Sequence, residues 1–453
     1  MSVEKKPKYI KWDKKSSDAK IKAFVDTVYD DLNLGRLKVS AKKAVLLAFL
    51  MNLLISAKTG IGVLYSRNSN WYQNMPAKYK YYFLTHHFVT KVADALLEKG
   101  YIKQVKGFWD MKLNFKDHTK IHPAKKLLDL YQNVDLSVIE NRLPPEEIQL
   151  RDTTIVIDTN KKTGEETERE KDVMLDYMDN SNTEAMRAIV KEWNALRYKT
   201  LITIDAPIEL YQQDNSRERL EYYCNLKMET DHVHLFVRPK GGYRVFREIF
   251  EKFGRYSATT ETLLKKQYRP YFKINNAPTV ELDFQALHIR MLYNMENLDY
   301  QEDPYAIAAA SFEDEKYRER GLFKGLGLMS INAKTKPGTV RALRDKLLED
   351  EDKPRDIPYE DISKMLDHWL VVHKPISTYL CTNIGLSLMY YDSQIAEKVI
   401  KHFTDKGIMI LCIHDSFIID RVHEAELRTV MTAAYQFIMN NEFNVKIDRK
   451  VAH

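Results

Sequence analysis

Met409-Ile-Leu-Cys-Ile-His-Asp-Ser-Phe-Ile-Ile-Asp420 sets two apolar, strand-like runs on either side of His414-Asp415-Ser416. Short β-rich runs flanking a pair of polar turn residues predict a hairpin, here with Asp415 at its tip. Upstream, Thr279-Val-Glu-Leu-Asp283 is a second β-rich run that ends in a carboxylate, and Ala286–Met295 then turns helical. A carboxylate at a strand end projects beyond the sheet edge, where ligands of α/β sheets commonly bind. Either acid alone would be an ordinary turn residue. Placed on neighbouring strands of one sheet, they predict a site for two divalent ions that activates a hydroxyl and stabilises leaving pyrophosphate. Hard oxygen ligands of this kind suit Mg²⁺ or Mn²⁺ and not zinc.

Between the two acids lies Arg320-Gly-Leu-Phe-Lys324-Gly-Leu-Gly-Leu328-Met-Ser-Ile-Asn332. A stride of four puts Arg320, Lys324, Leu328 and Asn332 along one face of a helix, although three glycines lower its intrinsic helicity. Two cations one turn apart can grip a triphosphate, the Arg as a fork and the Lys as a point charge. In isolation such a pair is a solvated helix face. Its meaning comes from the order: strand carboxylate, basic helix, hairpin carboxylate.

In that order residues 253–420, well under half the chain, resemble the catalytic core of family A DNA polymerases and of the related single-subunit phage-type RNA polymerases. Val280-Glu-Leu-Asp283-Phe-Gln-Ala-Leu-His288-Ile-Arg290 is similar to motif A, which implies that Asp283 and the Phe284 carbonyl hold metal. The Arg320–Asn332 stretch resembles motif B, whose Arg and Lys bind nucleotide phosphates. Ile413-His414-Asp415-Ser416-Phe417 resembles motif C, and Gly385–Val399 the helix before it. Gly254-Arg255-Tyr256-Ser257 resembles the stretch whose Arg contacts primer–template, which implies that Arg255, Tyr256 and His414 meet the primer strand. The chain also departs from the pattern. His288 stands where the DNA polymerases carry the Glu that excludes a ribose 2′-hydroxyl. Motif C reads Asp-Ser and not Asp-Glu, and Leu328 and Asn332 replace aromatic residues. No stretch resembles an exonuclease domain, so proofreading in cis is not expected.

The rest of the chain frames this core. A 44% hydrophobic and 30% charged composition excludes a disordered class, and 453 residues are enough for more than one domain. The longest apolar run, Val45–Ala57, contains Asn52 and is too short for a span of ~20 residues, so it predicts a buried helix. No secretory signal is expected from Met-Ser-Val-Glu-Lys-Lys, and Cys224, Cys381 and Cys412 read as reduced thiols of a cytoplasmic protein with no membrane partner. Net charge is +6, but residues 1–130 hold 25 Lys/Arg against 11 Asp/Glu, and a basic lobe of that kind suits a polyanion. Within that lobe, helices Ala41–Ala57 and Leu84–Lys99 lead to strands Tyr101–Val105 and Phe108–Leu113 about a Lys106-Gly107 turn, which resembles a winged-helix domain. The resemblance implies a major-groove helix offering Thr85, His86, His87, Thr90 and Lys91, with Lys106 at the wing. Strands at Leu201–Ile204 and His232–Val237, helices at Asn182–Tyr198 and Asp214–Leu226, and a strand with a charged excursion over Arg151–Glu170 are expected in between.

Other candidates carry less. His232-Val-His234 beside Asp231 lacks the further Cys or His of a metal site. His368 and His373 fall on different helix faces, Lys336-Pro-Gly reads as a turn, and Asp303-Pro-Tyr305 as a segment near the nucleotide. The expected fold is α+β, with a basic winged-helix-like domain (1–130), a thumb-like connector (131–250) and a polymerase palm with inserted fingers (251–453). The expected function is template-directed extension of a 3′-hydroxyl on DNA or RNA primer–template, using nucleoside triphosphates and two Mg²⁺ or Mn²⁺ ions. DNA synthesis is favoured. An RNA polymerase or primase, permitted by His288 and Ser416, and a non-catalytic nucleic-acid-binding replication factor are the alternatives.

Overall fold

The computed structural model describes residues 7–107, 109–110, 115–116, 118–131, 139–159, 166–257, 259–350 and 355–450. The fold is mixed, with helices and antiparallel sheets segregated along the chain as in an α+β protein. Contacts gather it into two compact units, Met1–Arg244 with Ser257–Thr279, and Val245–Tyr256 with Val280–His453. The 131–250 stretch therefore belongs, up to Arg244, to the same unit as the basic N-terminal region.

In the first unit, helices Ala19–Leu32, Val39–Thr59 and His86–Glu98 pack with a small sheet around one core that includes Val28, Phe49, Leu53, Val89 and Leu96. Val39–Thr59 is apolar on every side because it is buried on most of its surface, which is how a central core helix reads. Asn52, the polar residue inside that run, is satisfied: its amide donates to the carbonyls of Lys11 and Ala48, and its oxygen accepts from the Lys11 amide at 3.0 Å. The sheet runs Lys8–Tyr9, Val63–Tyr65, Thr119–Pro123, Ile102–Val105. The strand returning beside Ile102–Val105 is thus Thr119–Pro123, not Phe108–Leu113 as expected. Trp109–Asp110 pairs with Phe115–Lys116 in a separate short ladder, and Phe108 and Met111–Asn114 lie outside the described residues. The long hairpin Ile148–Thr159 with Glu166–Leu175 replaces the expected strand and loose excursion, whose Asn160–Glu165 portion lies outside the described residues.

A second antiparallel sheet of this unit runs Cys224–Met228, His232–Val237, Ile202–Pro207, Phe272–Ile274, then the start of Ala277–Phe284. The expected helix over Asp214–Leu226 is cut short. Helix Arg217–Tyr223 stops where Cys224 enters the sheet, because Cys224–Met228 finds a strand partner in Val233–Val237.

The second unit holds a sheet in the order Ile447–Lys450, Glu281–Phe284, Ser416–Asp420, Ile410–Ile413. Between the two central strands the chain forms helices Leu287–Met295, Pro304–Ser311, Arg320–Asn332, Lys336–Leu348, Tyr359–Val372 and Gly385–Asp405. Lys336-Pro-Gly, read as a turn, begins one of these helices: Thr335 caps it by accepting from the Gly338 amide. Helix Arg320–Asn332 tolerates Gly325 and Gly327 because both sit at close contacts. A Cβ there would lie 3.0 Å from Leu343 and from Trp369, respectively.

Candidate active site

Asp283 and Asp415 are brought together in the second unit. Along Val280–Phe284 the side chains alternate: Val280, Leu282 and Phe284 enter the core, and Glu281 and Asp283 take the opposite face. Asp283 lies inside the ladder and not beyond the sheet edge, because Ile447–Lys450 pairs alongside it, with Asp448 directly opposite. Asp415 sits in a two-residue loop closed by the Ile413–Ser416 pair, with His414 in the left-handed region at φ 60°. A non-glycine residue held there costs about 1 kcal/mol, the kind of local strain that concentrates at functional sites. The Phe284 amide donates to the Asp415 carbonyl at 3.5 Å, tying strand to hairpin tip. Burial, and next the charge of Asp415, push the Asp283 carboxyl up to about 6; the Lys450 ammonium, 2.7 Å from its Oδ2, opposes that rise.

An acid on the strand, Asp283, and a second at the adjoining hairpin tip, Asp415, whose charge acts on the first, fit a divalent cation. Among the described residues no group of three or more His, Cys, Asp or Glu forms a cage for a metal. That set still suits Mg²⁺, which keeps several waters and is held through one or two carboxylates plus substrate phosphates. It does not suit a structural zinc site.

Arg255 and His288 converge on a third acid. Asp392, on helix Gly385–Asp405 and only 1% exposed, accepts from Arg255 Nε at 3.1 Å and lies 2.9 Å from His288 Nε2. The Arg255 terminal nitrogen also pairs with the same carboxylate. Gly254 allows this approach: its φ is +68°, and a Cβ there would collide with Ser393 on the same helix. Tyr256, expected at the primer, is instead 2% exposed and part of the core, because strand alternation turns it inward while Arg255 faces Asp392. His414 is exposed at the hairpin tip.

Helix Arg320–Asn332 presents the anticipated stripe. Arg320, Lys324 and Leu328 are exposed and Asn332 is half-buried, while Leu322, Phe323, Leu326 and Ile331 are buried behind them. Arg320 is not loose. Its Nε donates to Asp303 Oδ2 at 2.8 Å and its guanidinium lies 5.4 Å from the Tyr305 ring centre. Asp303 also caps the next helix by accepting from the Tyr305 and Ala306 amides. Burial works to raise its carboxyl, but Arg320 and those amides outweigh it and hold it below the ordinary range. Asn332 turns its amide onto the Leu328 carbonyl and packs against Gly385.

In the first unit, helix His86–Glu98 exposes His87 and Lys91, and Thr85 is its N-cap, accepting from the Phe88 amide. His86 and Thr90 turn partly inward, His86 onto the Arg67 carbonyl at 3.0 Å and Thr90 onto the His86 carbonyl at 2.8 Å, so they contribute less surface than expected. Lys106 is exposed just past the Ile102–Val105 strand. His234 lies between Asp205 (3.1 Å) and Glu229 (3.3 Å), and His232 beside Asp231 (3.2 Å), which accounts for both as hydrogen-bonded strand histidines. His373 is a core residue between Tyr293 and the Pro304 carbonyl, and burial lowers its pKa to about 4, which keeps it neutral.

Three residues of this region escaped the sequence reading. Asp392 sits in an unremarkable helical stretch, Lys450 is one lysine among many near the end of the chain, and Asp303 was placed only as a neighbour. The period-two pairing of Glu281 with Asp283 was the one available hint that the strand has a polar face.

No protein-family model matches the chain, and no curated protein matches it. Among solved structures it is similar to the POL domain of Pol1 from M. smegmatis in complex with DNA primer-template and dNTP. Identity is 12%, the TM-score is 0.33, and the match covers 47% of this chain and 47% of that one. By its own elements and side chains the chain is a mixed α+β protein in which Asp283 and Asp415 adjoin.

Proposed function

We propose that the chain is a template-directed nucleotidyltransferase of the DNA polymerase type, extending a 3′-hydroxyl with nucleoside triphosphates. The observation that carries this is the juxtaposition of Asp283 on its strand and Asp415 at the adjoining hairpin tip, with the Asp283 carboxyl raised first by burial and then by Asp415. Two divalent ions bound there supply activation of the hydroxyl and neutralisation of the leaving pyrophosphate. Asp283, Asp415 and the Phe284 carbonyl are the ligands. Arg320, aimed by Asp303, and Lys324 bind the triphosphate. Arg255 and His414 contact the primer strand, and His288 stands at the nucleotide sugar, with Asp392 fixing Arg255 and His288 together. An extension assay with all eight nucleotides on DNA and RNA templates tests the reading. Metal-dependent extension supports it, and no incorporation on any template ends it.

Arg320→Ala and Lys324→Ala should each raise the KM for the triphosphate about 10- to 100-fold, since a charge-assisted hydrogen bond contributes about 1.5–3 kcal/mol. Steady-state kinetics at saturating primer–template read this. An unchanged KM in both variants would remove the helix from the site.

The first unit is the proposed nucleic-acid-binding module, in the winged-helix manner, with Lys91 and Lys106 on phosphates. Replacing both by Ala should weaken duplex binding equally across sequences and reduce the slope of log K against log salt by about 2. Fluorescence anisotropy across a salt series measures it. An unchanged slope would assign that surface to another partner.

A further inference from the structure

We infer that Lys450 is a counter-cation built into the carboxylate site, and that a divalent ion loads by displacing its ammonium from Asp283. This rests on Asp283 being a metal ligand, as proposed above. Ile447–Lys450 pairs antiparallel with Glu281–Phe284, Lys450 opposite Glu281 and Asp448 opposite Asp283. Directly opposed residues of an antiparallel pair share a sheet face, so Glu281, Asp283, Asp448 and Lys450 all lie on one side. Lys450 Nζ reaches across the ladder to Asp283 Oδ2 at 2.7 Å. Glu281 accepts from Ser416 Oγ at 2.5 Å, and its charge also acts on the Lys450 ammonium. The lysine is thus a cation set against Asp283 on the face shared with these acids.

The contact is poised for exchange. The Lys450 side chain is 46% exposed and that of Asp283 23%, so the pair is partly solvated and of the kind worth about 1 kcal/mol or less. A lysine stem has four carbons and many rotamers, so the ammonium can swing into solvent while its strand stays paired. A divalent ion held by Asp283 and Asp415 would meet two carboxylates where the ammonium contacts one, which would favour displacement. Lys450 therefore sets how much metal the site needs. It is a positioning residue for the metal and not a ligand.

The test is Mn²⁺ binding to the full, nucleotide-free chain by electron paramagnetic resonance, comparing wild type, Lys450→Met, Lys450→Gln, Lys450→Arg and Asp283→Asn. Both neutral variants should bind Mn²⁺ more tightly, by up to about fivefold, Lys450→Arg should stay near wild type, and Asp283→Asn should lose the site. Two neutral side chains of different polarity keep the comparison open if one variant folds poorly. Unchanged or weaker binding in the neutral variants, with the site still lost in Asp283→Asn, overturns the role of Lys450 and leaves the metal site standing. Wild-type binding retained in Asp283→Asn overturns the metal site itself.

Discussion

On the proposed mechanism, Asp283→Asn and Asp415→Asn should each lower nucleotide incorporation at least about 10³-fold, because either change would remove a charge that several kcal/mol of metal-based stabilisation would depend on. Both variants remain folded: neither carboxylate anchors the core, which on this strand is Val280, Leu282 and Phe284. Single-turnover extension at saturating Mg²⁺ is the measurement, and full activity in both variants would remove the mechanism. A stability signature accompanies the loss. The Asp283 carboxyl is raised to about 6, first by burial and then by Asp415, against an ordinary value near 4. Between those values the folded chain holds more protons than the unfolded one, so the metal-free protein loses stability as pH rises from about 4 to about 6. Asp283→Asn flattens that window. Thermal melts in chelator, at pH 4.5 and 7, should show a smaller drop in Tm for the variant than for wild type.

The second large effect is at Asp392. Its carboxylate is buried between Arg255 and His288, and removing it leaves the Arg255 guanidinium without its hydrogen-bonded acid. Breaking a buried pair from one side costs about 3–5 kcal/mol, so Asp392→Ala should be among the most destabilising single changes in this unit. Denaturant unfolding measures it. The paired change Arg255→Met with Asp392→Leu separates packing from function: it should recover much of the stability, as apolar replacement of buried ion pairs often does, while primer extension stays low. Recovery of both would make Arg255 a structural residue only.

In Tyr390-Tyr391-Asp392-Ser393 nothing distinguishes a buried acid from a solvated one, since an isolated helix exposes either equally. Its value is set by Arg255, 137 positions away, and by His288, 104 positions away. The partner of strand Ile102–Val105 is likewise decided by tertiary structure. Phe108–Leu113 and Thr119–Pro123 both carry strand-compatible residues, and the choice between them as partner of Ile102–Val105 depends on register in three dimensions. Tyr256 shows the same limit, because alternation says that two neighbours point oppositely but not which of them meets the core.

Local sequence was sufficient where the signal is periodic or chemical. The hairpin around His414-Asp415, the strand ending at Asp283-Phe284, the buried helix around Asn52 and the stride-four stripe of Arg320, Lys324, Leu328 and Asn332 each follow from spacing within a dozen or so residues. That determined the α+β class, because hydrophobic period and turn chemistry act over one element at a time. The tertiary structure alone decided that Asp283 and Asp415 adjoin, that Asp392 joins Arg255 to His288, and that Lys450 lies on Asp283. These are pairings across more than a hundred residues, and they are selected by the packing of whole strands and helices, a free energy that no single segment carries.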